Sequence, residues 1–355
     1  MKRRKSRVIQ IGNVFVGGNS PIAVQSMTKT DTRDTKATID QIKELEDCGC
    51  ELIRCAIPDM EAASALKTIK KEIRIPLIAD IHFDYRLALK ALESGVDGLR
   101  LNPGNISDPD KVAAVVVSAK ERSVPIRIGV NFGSLPQDMD PTLTIPQRMS
   151  EAALRHIRIL EKLNFDLIKV SLKAFDVPTT IQAYREIAHR IPYPLHIGIT
   201  ESGTARQGMI RSAVGLGILL SEGIGDTLRV SLTAHPLEEV FAAYEILKSL
   251  NLREHGATLV SCPTCGRTEV DLVSLAGEVE MYLTKVKKPI KVAVMGCVVN
   301  GPGEAKDADI GVACGKGKAV LFKKGEQLRT IEEADILNQL IAEIEELSRL
   351  NASNE

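Results

Sequence analysis

Two hydrophobic periods alternate along the first 250 residues or so. Short apolar runs with β-branched residues recur at 22–26, 52–56, 77–81, 98–101, 126–130, 167–172, 195–199 and 227–232. Between and after them, apolar positions fall three and four apart at 38–47, 61–71, 85–93, 110–121, 146–162, 180–190, 206–220 and 237–250. The first period predicts buried strands and the second amphipathic helices. Asp108-Pro109 reads as an N-cap followed by proline at the first helical position. Gly49 and Gly95 fall where a left-handed C-cap is needed. Eight strand–helix units in about 250 residues are what a (β/α)8 barrel requires, and eight in succession favour closure over a doubly wound open sheet. Ahead of the first unit, 8–11 and 14–16 around Gly12-Asn13 predict a small hairpin that caps the barrel floor.

The pattern changes after Leu250. Residues 251–256 form a short polar connector, and 257–355 predict a smaller α+β domain, against 1–250 for the barrel. Its apolar run 290–295 predicts a buried strand, and 331–350 a charged amphipathic helix. Gly315-Lys316-Gly317-Lys318 lacks the frame of a phosphate-binding P-loop and predicts a hairpin turn.

Composition narrows the function classes. With 355 residues, 44% hydrophobic and 26% charged, the chain is globular and large enough for full cores. Lys+Arg 46 balances Asp+Glu 46, so no global field draws nucleic acid or an acidic membrane. Seven Phe, five Tyr and no Trp argue against a base-stacking surface. The basic start, residues 1–7, lacks the apolar stretch of a signal peptide and reads as a solvated tail. No apolar run reaches membrane-spanning length. Seven cysteines without a secretory signal fit a reducing cytoplasm.

The barrel strands carry polar residues where they should carry apolar ones. Residues two apart share a face of a strand. Asp80 and His82, Arg100 and Asn102, Arg127 and Asn131, Lys169 and Ser171, Arg229 and Ser231 keep that spacing or its double near the predicted strand ends. Arg54 stands singly, and Glu201 follows the seventh strand. Five cations (Arg54, Arg100, Arg127, Lys169, Arg229) face two candidate carboxylates, Asp80 and Glu201. Charge inside a barrel is costly unless it is paired or meets a ligand. A surplus of cations at the barrel mouth calls for a dense anion such as a phosphate or diphosphate. His82 and His196 also read as packed histidines, and Cys48, Cys50, Cys55 and Cys314 as buried apolar thiols.

The second domain carries Cys262-Pro-Thr-Cys265, then Cys297 beyond the predicted strand, then Asn300-Gly-Pro-Gly-Glu304. The two-residue gap turns Cys262 and Cys265 toward one metal centre. A zinc ribbon supplies a second Cys-x-x-Cys pair, which is missing here. Three thiolates with Glu304 as an oxygen ligand suit an iron–sulfur cluster, and Cys297 with Cys314 could instead complete a zinc site.

Taken together, Ala23-Val-Gln-Ser-Met27, Leu99-Arg-Leu-Asn-Pro-Gly-Asn105, Arg127-Ile-Gly-Val-Asn131, Gly198-Ile-Thr-Glu-Ser202, Cys262-Pro-Thr-Cys265 and Asn300-Gly-Pro-Gly-Glu304 closely resemble the hydroxymethylbutenyl diphosphate synthase family. These are the iron–sulfur enzymes of the methylerythritol phosphate route to isoprenoids. The resemblance runs in order over nearly the whole chain and implies the bacterial two-domain form. It implies a [4Fe–4S] cluster on Cys262, Cys265, Cys297 and Glu304. It implies substrate binding by Arg54, Arg100, Arg127, Asn131, Lys169, Arg229 and Ser231, to which the strand pattern adds Ser171. Glu201 matches the family's acid–base glutamate and Asn300 a cluster-domain residue near the substrate. The implied reaction is reductive ring opening of 2-C-methyl-D-erythritol 2,4-cyclodiphosphate to 4-hydroxy-3-methylbut-2-enyl diphosphate. Flavodoxin or ferredoxin is the implied electron donor, and a head-to-tail homodimer the implied assembly. Two rivals stand beside this reading. One is a redox-inert barrel lyase or transferase resembling dihydropteroate synthase, with structural zinc. The other is a zinc-ribbon module that binds RNA or protein, which the neutral charge and the internal cations oppose.

Overall fold

The structure is a computed structural model and describes residues 2–81, 83–106, 108–174, 176–297, 303 and 306–350. His82, Asn300 and Glu304 of the residues singled out above lie outside the described ones. Two compact units divide the chain, Met1–Arg253 and Glu254–Glu355.

In the first unit a two-stranded hairpin, β1 (Ile9–Ile11) and β2 (Val14–Val16), precedes eight strand–helix pairs. They are β3 (Ala23–Met27) with α1 (Thr35–Asp47), β4 (Leu52–Ala56) with α2 (Met60–Glu72), and β5 (Leu77–Asp80) with α3 (Tyr85–Glu93). Next come β6 (Gly98–Arg100) with α4 (Pro109–Glu121), β7 (Ile126–Asn131) with α5 (Ile145–Lys162), and β8 (Ile168–Lys173) with α6 (Val177–Ala188). The series ends with β9 (His196–Ile197) and α7 (Ala205–Ser221), then β10 (Thr227–Leu228) and α8 (Pro236–Ser249). All eight strands are parallel, in the order β8-β7-β6-β5-β4-β3-β10-β9. A parallel bridge between Val170 and Leu195 joins β8 to β9 and closes the ring.

Local chemistry explains the boundaries. Asp34, Asp59, Asp84, Asp108 and Asp176 each accept a backbone N–H at the start of the helix that follows, a cap worth about 1 kcal/mol. Gly49 and Gly95 take φ +92 and +84 just past α1 and α3, where a side chain would be strained. Outward strand residues such as Ile53, Cys55, Ala79, Leu99, Ile126 and Ile168 pack with the helices in one large core. A smaller cluster of Ile9, Ile11, Val16, Ala23, Leu52 and Ile78 plugs the floor, so the hairpin caps the barrel as expected.

The basic N-terminus is not a solvated tail. Arg3 and Arg4 pair with the buried carboxylate of Asp226 at 3.0 and 3.6 Å. Ser6 Oγ donates to the same carboxylate at 2.9 Å, and Asp226 also accepts the Leu195 N–H at 2.8 Å. The Arg7 guanidinium lies over the Tyr193 ring at 5.3 Å. A buried acid with several partners outweighs the hydration of a charged tail. At the other end of the unit, Arg253 pairs with Glu51 at 3.0 Å.

The second unit has a sheet in the order β11 (Thr258–Ser261), β12 (Lys291–Met295), β13 (Ile310–Gly315), β14 (Lys318–Lys323), β15 (Glu326–Glu332). The first three strands are parallel and the rest antiparallel. Helices α9 (Leu272–Leu283) and α10 (Ile336–Leu350) contribute Leu272, Val279, Leu340 and Ile344 to its core. Gly315 and Lys318 pair across the predicted hairpin, and Gly317 takes φ +71. The last helix starts at Ile336 rather than Ile331, because Ile331 pairs with Ala319 in β15.

Candidate functional site

Strand alternation aims one of the two sets of side chains on each strand into the barrel. Leu52 and Ile78 belong to the floor cluster, so Arg54 and Asp80, two residues on, also face inward. The same logic points Arg100, Arg127, Lys169, Ser171, Lys173, His196 and Arg229 inward. Register supports it, pairing Asp80 with Arg100, Arg100 with Arg127, and Arg127 with Lys169. Glycine makes the room: a Cβ on Gly129 would stand 3.0 Å from Arg100 Nε and 3.3 Å from Ser171 Oγ.

Six cations thus line the interior: Arg54, Arg100, Arg127, Lys169, Lys173 and Arg229. Asp80 balances two of them, at 3.5 Å from Arg54 Nε and 3.4 Å from Arg100 Nη1. Arg127 Nη1 donates to Ser171 Oγ at 3.2 Å, while its Nε and Nη2 and the Lys169 amine are buried without a hydrogen-bond partner. Met27 Sδ lies between Arg54 Nη2 at 2.9 Å and Arg229 Nη1 at 3.5 Å, a weak acceptor separating two guanidiniums. Burial lowers Arg54 to about 10. Burial, then Arg127 and Arg54, hold Lys169 well below the usual lysine range. His196 is kept neutral by burial and by Arg127 and Lys169, and its Nδ1 meets Thr227 Oγ1 at 2.8 Å.

Depth separates residues that the pattern had grouped. The interior pocket is lined by Arg54, Ser171, Lys173, His196, Thr200, Arg229 and Ser231. Lys169 and Arg127, the second residues of β8 and β7, are not among the residues that line it. Lys173, at the end of β8, takes the pocket position instead. Burial and the charges of Arg54, Arg127, Arg229 and Arg100 lower it to about 6. It continues the Lys169-x-Ser171 alternation by one more step, so the signal was present. Asn131 ends β7 in register with Lys173.

Glu201 is exposed on the loop after β9, with φ +57. That left-handed backbone costs a non-glycine residue about 1 kcal/mol or more. The loop is pinned around it: Ser202 Oγ donates to the Ser231 carbonyl, Arg211 Nη1 to the Ser202 carbonyl at 2.9 Å, and Thr233 N to the Gly203 carbonyl at 3.0 Å. The second buried carboxylate of the site is therefore not Glu201 but Glu239, on α8, 3.6 Å from Arg229 Nη2 and 3.1 Å from Lys29 Nζ.

In the second unit, β11 and β12 run side by side, Ser261 in register with Val294. Cys262 and Cys297 follow the ends of these two strands, so they emerge at one edge of the sheet. The Gly296 N–H donates to Cys262 Sγ at 3.3 Å. Such a bond stabilises a thiolate and tunes a cluster it ligates. Cys265, exposed, sits in a turn closed by Thr268, whose N–H reaches the Cys265 carbonyl at 3.0 Å and whose Oγ1 accepts the Cys265 N–H at 3.1 Å. Among the described residues no three His, Cys, Asp or Glu side chains converge on one ion-sized point. The donor set of three soft thiols at a strand edge, two of them on neighbouring strands, fits a cluster whose ligands stand further apart than those of one ion. Cys50, Cys55 and Cys314 are buried, and burial raises them to about 12, 11 and 11. Cys48 is exposed, at the C-cap of α1, contrary to its reading as a buried thiol.

Fold and site together define a (β/α)8 barrel with a surplus of cations in its interior, joined in one chain to an α+β domain with thiols at one edge of its sheet. Comparison with known families narrows this. Residues 6–244 match the GcpE TIM-barrel domain and residues 258–346 the GcpE protein C-terminal domain, and the chain belongs to that family. A protein of Dehalococcoides mccartyi, 68% identical over 97% of this chain and 99% of its own length, is named 4-hydroxy-3-methylbut-2-en-1-yl diphosphate synthase (flavodoxin). A Geobacter sulfurreducens protein of the same name is 59% identical over 97% of this chain and 98% of its own. Among solved structures, dihydropteroate synthase from Xanthomonas albilineans superposes with a TM-score of 0.51 at 14% identity, over 69% of this chain and 98% of that one. That likeness concerns the fold alone. No helix among the described residues is long and apolar enough to cross a membrane.

Proposed function

We propose that this chain converts 2-C-methyl-D-erythritol 2,4-cyclodiphosphate, two electrons and two protons into 4-hydroxy-3-methylbut-2-enyl diphosphate and water. Flavodoxin, the donor in its relatives' names, supplies the electrons. The observation that carries this reading is the cationic barrel interior, which outnumbers its carboxylates and needs a dense anion as counter-charge. A [4Fe–4S] cluster on Cys262, Cys265, Cys297 and Glu304 would supply one-electron reduction when bound. Arg54, Arg229, Lys173, Ser171 and Ser231 clamp the diphosphate, with Arg100, Arg127, Asn131 and Lys169 behind or beside them. This clamping orients the carbon skeleton and stabilises charge on the departing phosphate oxygen. Glu201 donates the proton that leaves with the hydroxyl, and the pinned loop holds its carboxyl at the rim. Asn300, which matches a family residue near the substrate, completes the proposed set. The working form is a head-to-tail homodimer in the cytoplasm, without nucleic acid.

Anaerobic purification with iron, sulfide and zinc analysis, followed by assay of cyclodiphosphate reduction, tests the proposal. About four irons and four sulfides per chain with turnover support it. One zinc, no colour and no turnover after reconstitution would return the barrel to a redox-inert lyase.

The lowered lysine makes a further prediction. With Lys173 near 6 in the substrate-free barrel, its amine is mostly neutral at about pH 7.5, and a bound phosphate restores its proton. Binding then takes up protons, so affinity falls as pH rises above about 6, by up to about tenfold per unit. Calorimetric titration with the cyclodiphosphate, without reductant, between about pH 6 and 8 checks it. An affinity independent of pH over that range contradicts it.

A further inference from the structure

Glu239 belongs to α8, in the helical layer outside the barrel, yet it is only 1% exposed. Its two oxygens have divided partners. Oε1 accepts the Leu232 N–H at 3.0 Å and pairs with Lys29 Nζ at 3.1 Å. Oε2 pairs with Arg229 Nη2 at 3.6 Å and accepts from Ser26 Oγ at 3.4 Å. Lys29 in turn donates to the Leu232 carbonyl at 2.9 Å and to the Ala234 carbonyl. One carboxylate therefore ties together the end of β3, the segment after β10 and a helix behind both. The groups it holds are the Arg229 guanidinium and the backbone next to Ser231, both on the pocket wall.

We propose that Glu239 is a positioning residue for the reaction: it aims Arg229, and through the Leu232 N–H the adjoining Ser231, at the diphosphate. The inference rests on the diphosphate site described under the proposed function. An arginine that shares its pocket with two other cations, Arg54 and Lys173, drifts toward solvent unless something behind it pulls. Met27 Sδ is too weak an acceptor to do so, and Asp80 is engaged by Arg54 and Arg100. Glu239 supplies that pull from outside the pocket, where it does not itself obstruct the anion.

This placement predicts opposite effects on binding and on turnover. Glu239→Gln keeps the size of the side chain and an oxygen for the Leu232 N–H, but removes the charge that competes with the substrate for Arg229. Pyrophosphate binds about threefold to tenfold more tightly to the variant, since Arg229 no longer divides its charge between Glu239 and the ligand. Turnover of the cyclodiphosphate by the cluster-loaded enzyme falls about tenfold to a hundredfold, since the guanidinium is no longer aimed. Glu239→Asp, which keeps the charge on a shorter arm, recovers part of the turnover. In an Arg229→Met background, adding Glu239→Gln changes pyrophosphate affinity little, because the two residues act through one contact.

A residue that only supports the fold gives weaker pyrophosphate binding and slower turnover together, and the same shift in either background. That pattern overturns the inference, as does unchanged turnover in Glu239→Gln. The pyrophosphate cycle needs no turnover, so it decides the inference even if the wild-type chain proves inactive on the cyclodiphosphate, an outcome that counts against the proposed function alone.

Discussion

Glu201→Gln is expected to lower cyclodiphosphate turnover by about a thousandfold, while iron content and substrate affinity stay near those of the wild type. Glutamine has the shape of glutamate and suits the same φ of +57 no worse, so the pinned loop should hold. What it lacks is a proton to give. The proposed diphosphate clamp is made by residues that line the barrel pocket, and Glu201 stands outside that set, exposed. Affinity and turnover should therefore separate. Steady-state kinetics with excess reductant, beside calorimetric binding without it, show whether they do. Normal turnover removes Glu201 from the acid role. A parallel loss of binding makes it a ligand instead.

Cys262→Ala should abolish both the visible absorption and the turnover, and Cys297→Ala should do the same. A cluster short of one of its three thiolates is not retained through purification. Cys314→Ala is the matched control. Its sulfur is buried on β13 in the core with Val312 and Leu321, so its loss leaves a small cavity, costing on the order of 1 kcal/mol, and leaves the iron in place. Iron and sulfide per chain, measured on all three variants purified side by side without oxygen, distinguish them. Full iron in Cys262→Ala rules that thiol out as a ligand, and loss of iron in Cys314→Ala brings back a four-thiolate site.

Periodicity recovered the architecture where a single rule governs. The segments 52–56 and 85–93 match β4 and α3 to the residue, because apolar alternation, an Asp cap and a C-terminal glycine all agree there. It overran at β9 and β10, each two residues long against five and six expected. Inward positions there are Gly198 and Arg229, and a Cβ on Gly198 would lie 2.8 Å from the Arg229 carbonyl. The backbone leaves regular pairing to make room for the site. Around Ile331, the run of β15 shares apolar spacing with the helix that follows, and only its ladder to β14 tells them apart.

The site was legible in direction but not in depth. A period of two says that Lys169 faces inward. It cannot say that Lys173 lines the pocket while Lys169 does not, since depth comes from stagger between strands. Glu239 left no mark at all in the sequence. Two glutamates in the first turn of a helix, Glu238 and Glu239, suit the helix dipole and look solvated. Only the packing of α8 on β3 turns one of them inward. Arg3 and Arg4 misled for a related reason: their partner, Asp226, is more than two hundred positions away.

That separation bears on how the molecule is made. The contact from Arg3 to Asp226 spans 223 positions, and Arg4 N reaches the Gly223 carbonyl beside it. Neither can form until the chain has been synthesised as far as Asp226. At ribosomal speeds of about 5–20 residues per second, the opening segment waits on the order of tens of seconds for its anchor. During that interval the hairpin has no finished floor to cover, and its exposed Val8 and Phe15 stand beside unpaired strand edges. The slow, aggregation-exposed part of the life of this chain is thus its birth, and the latch that ends it is the buried Asp226.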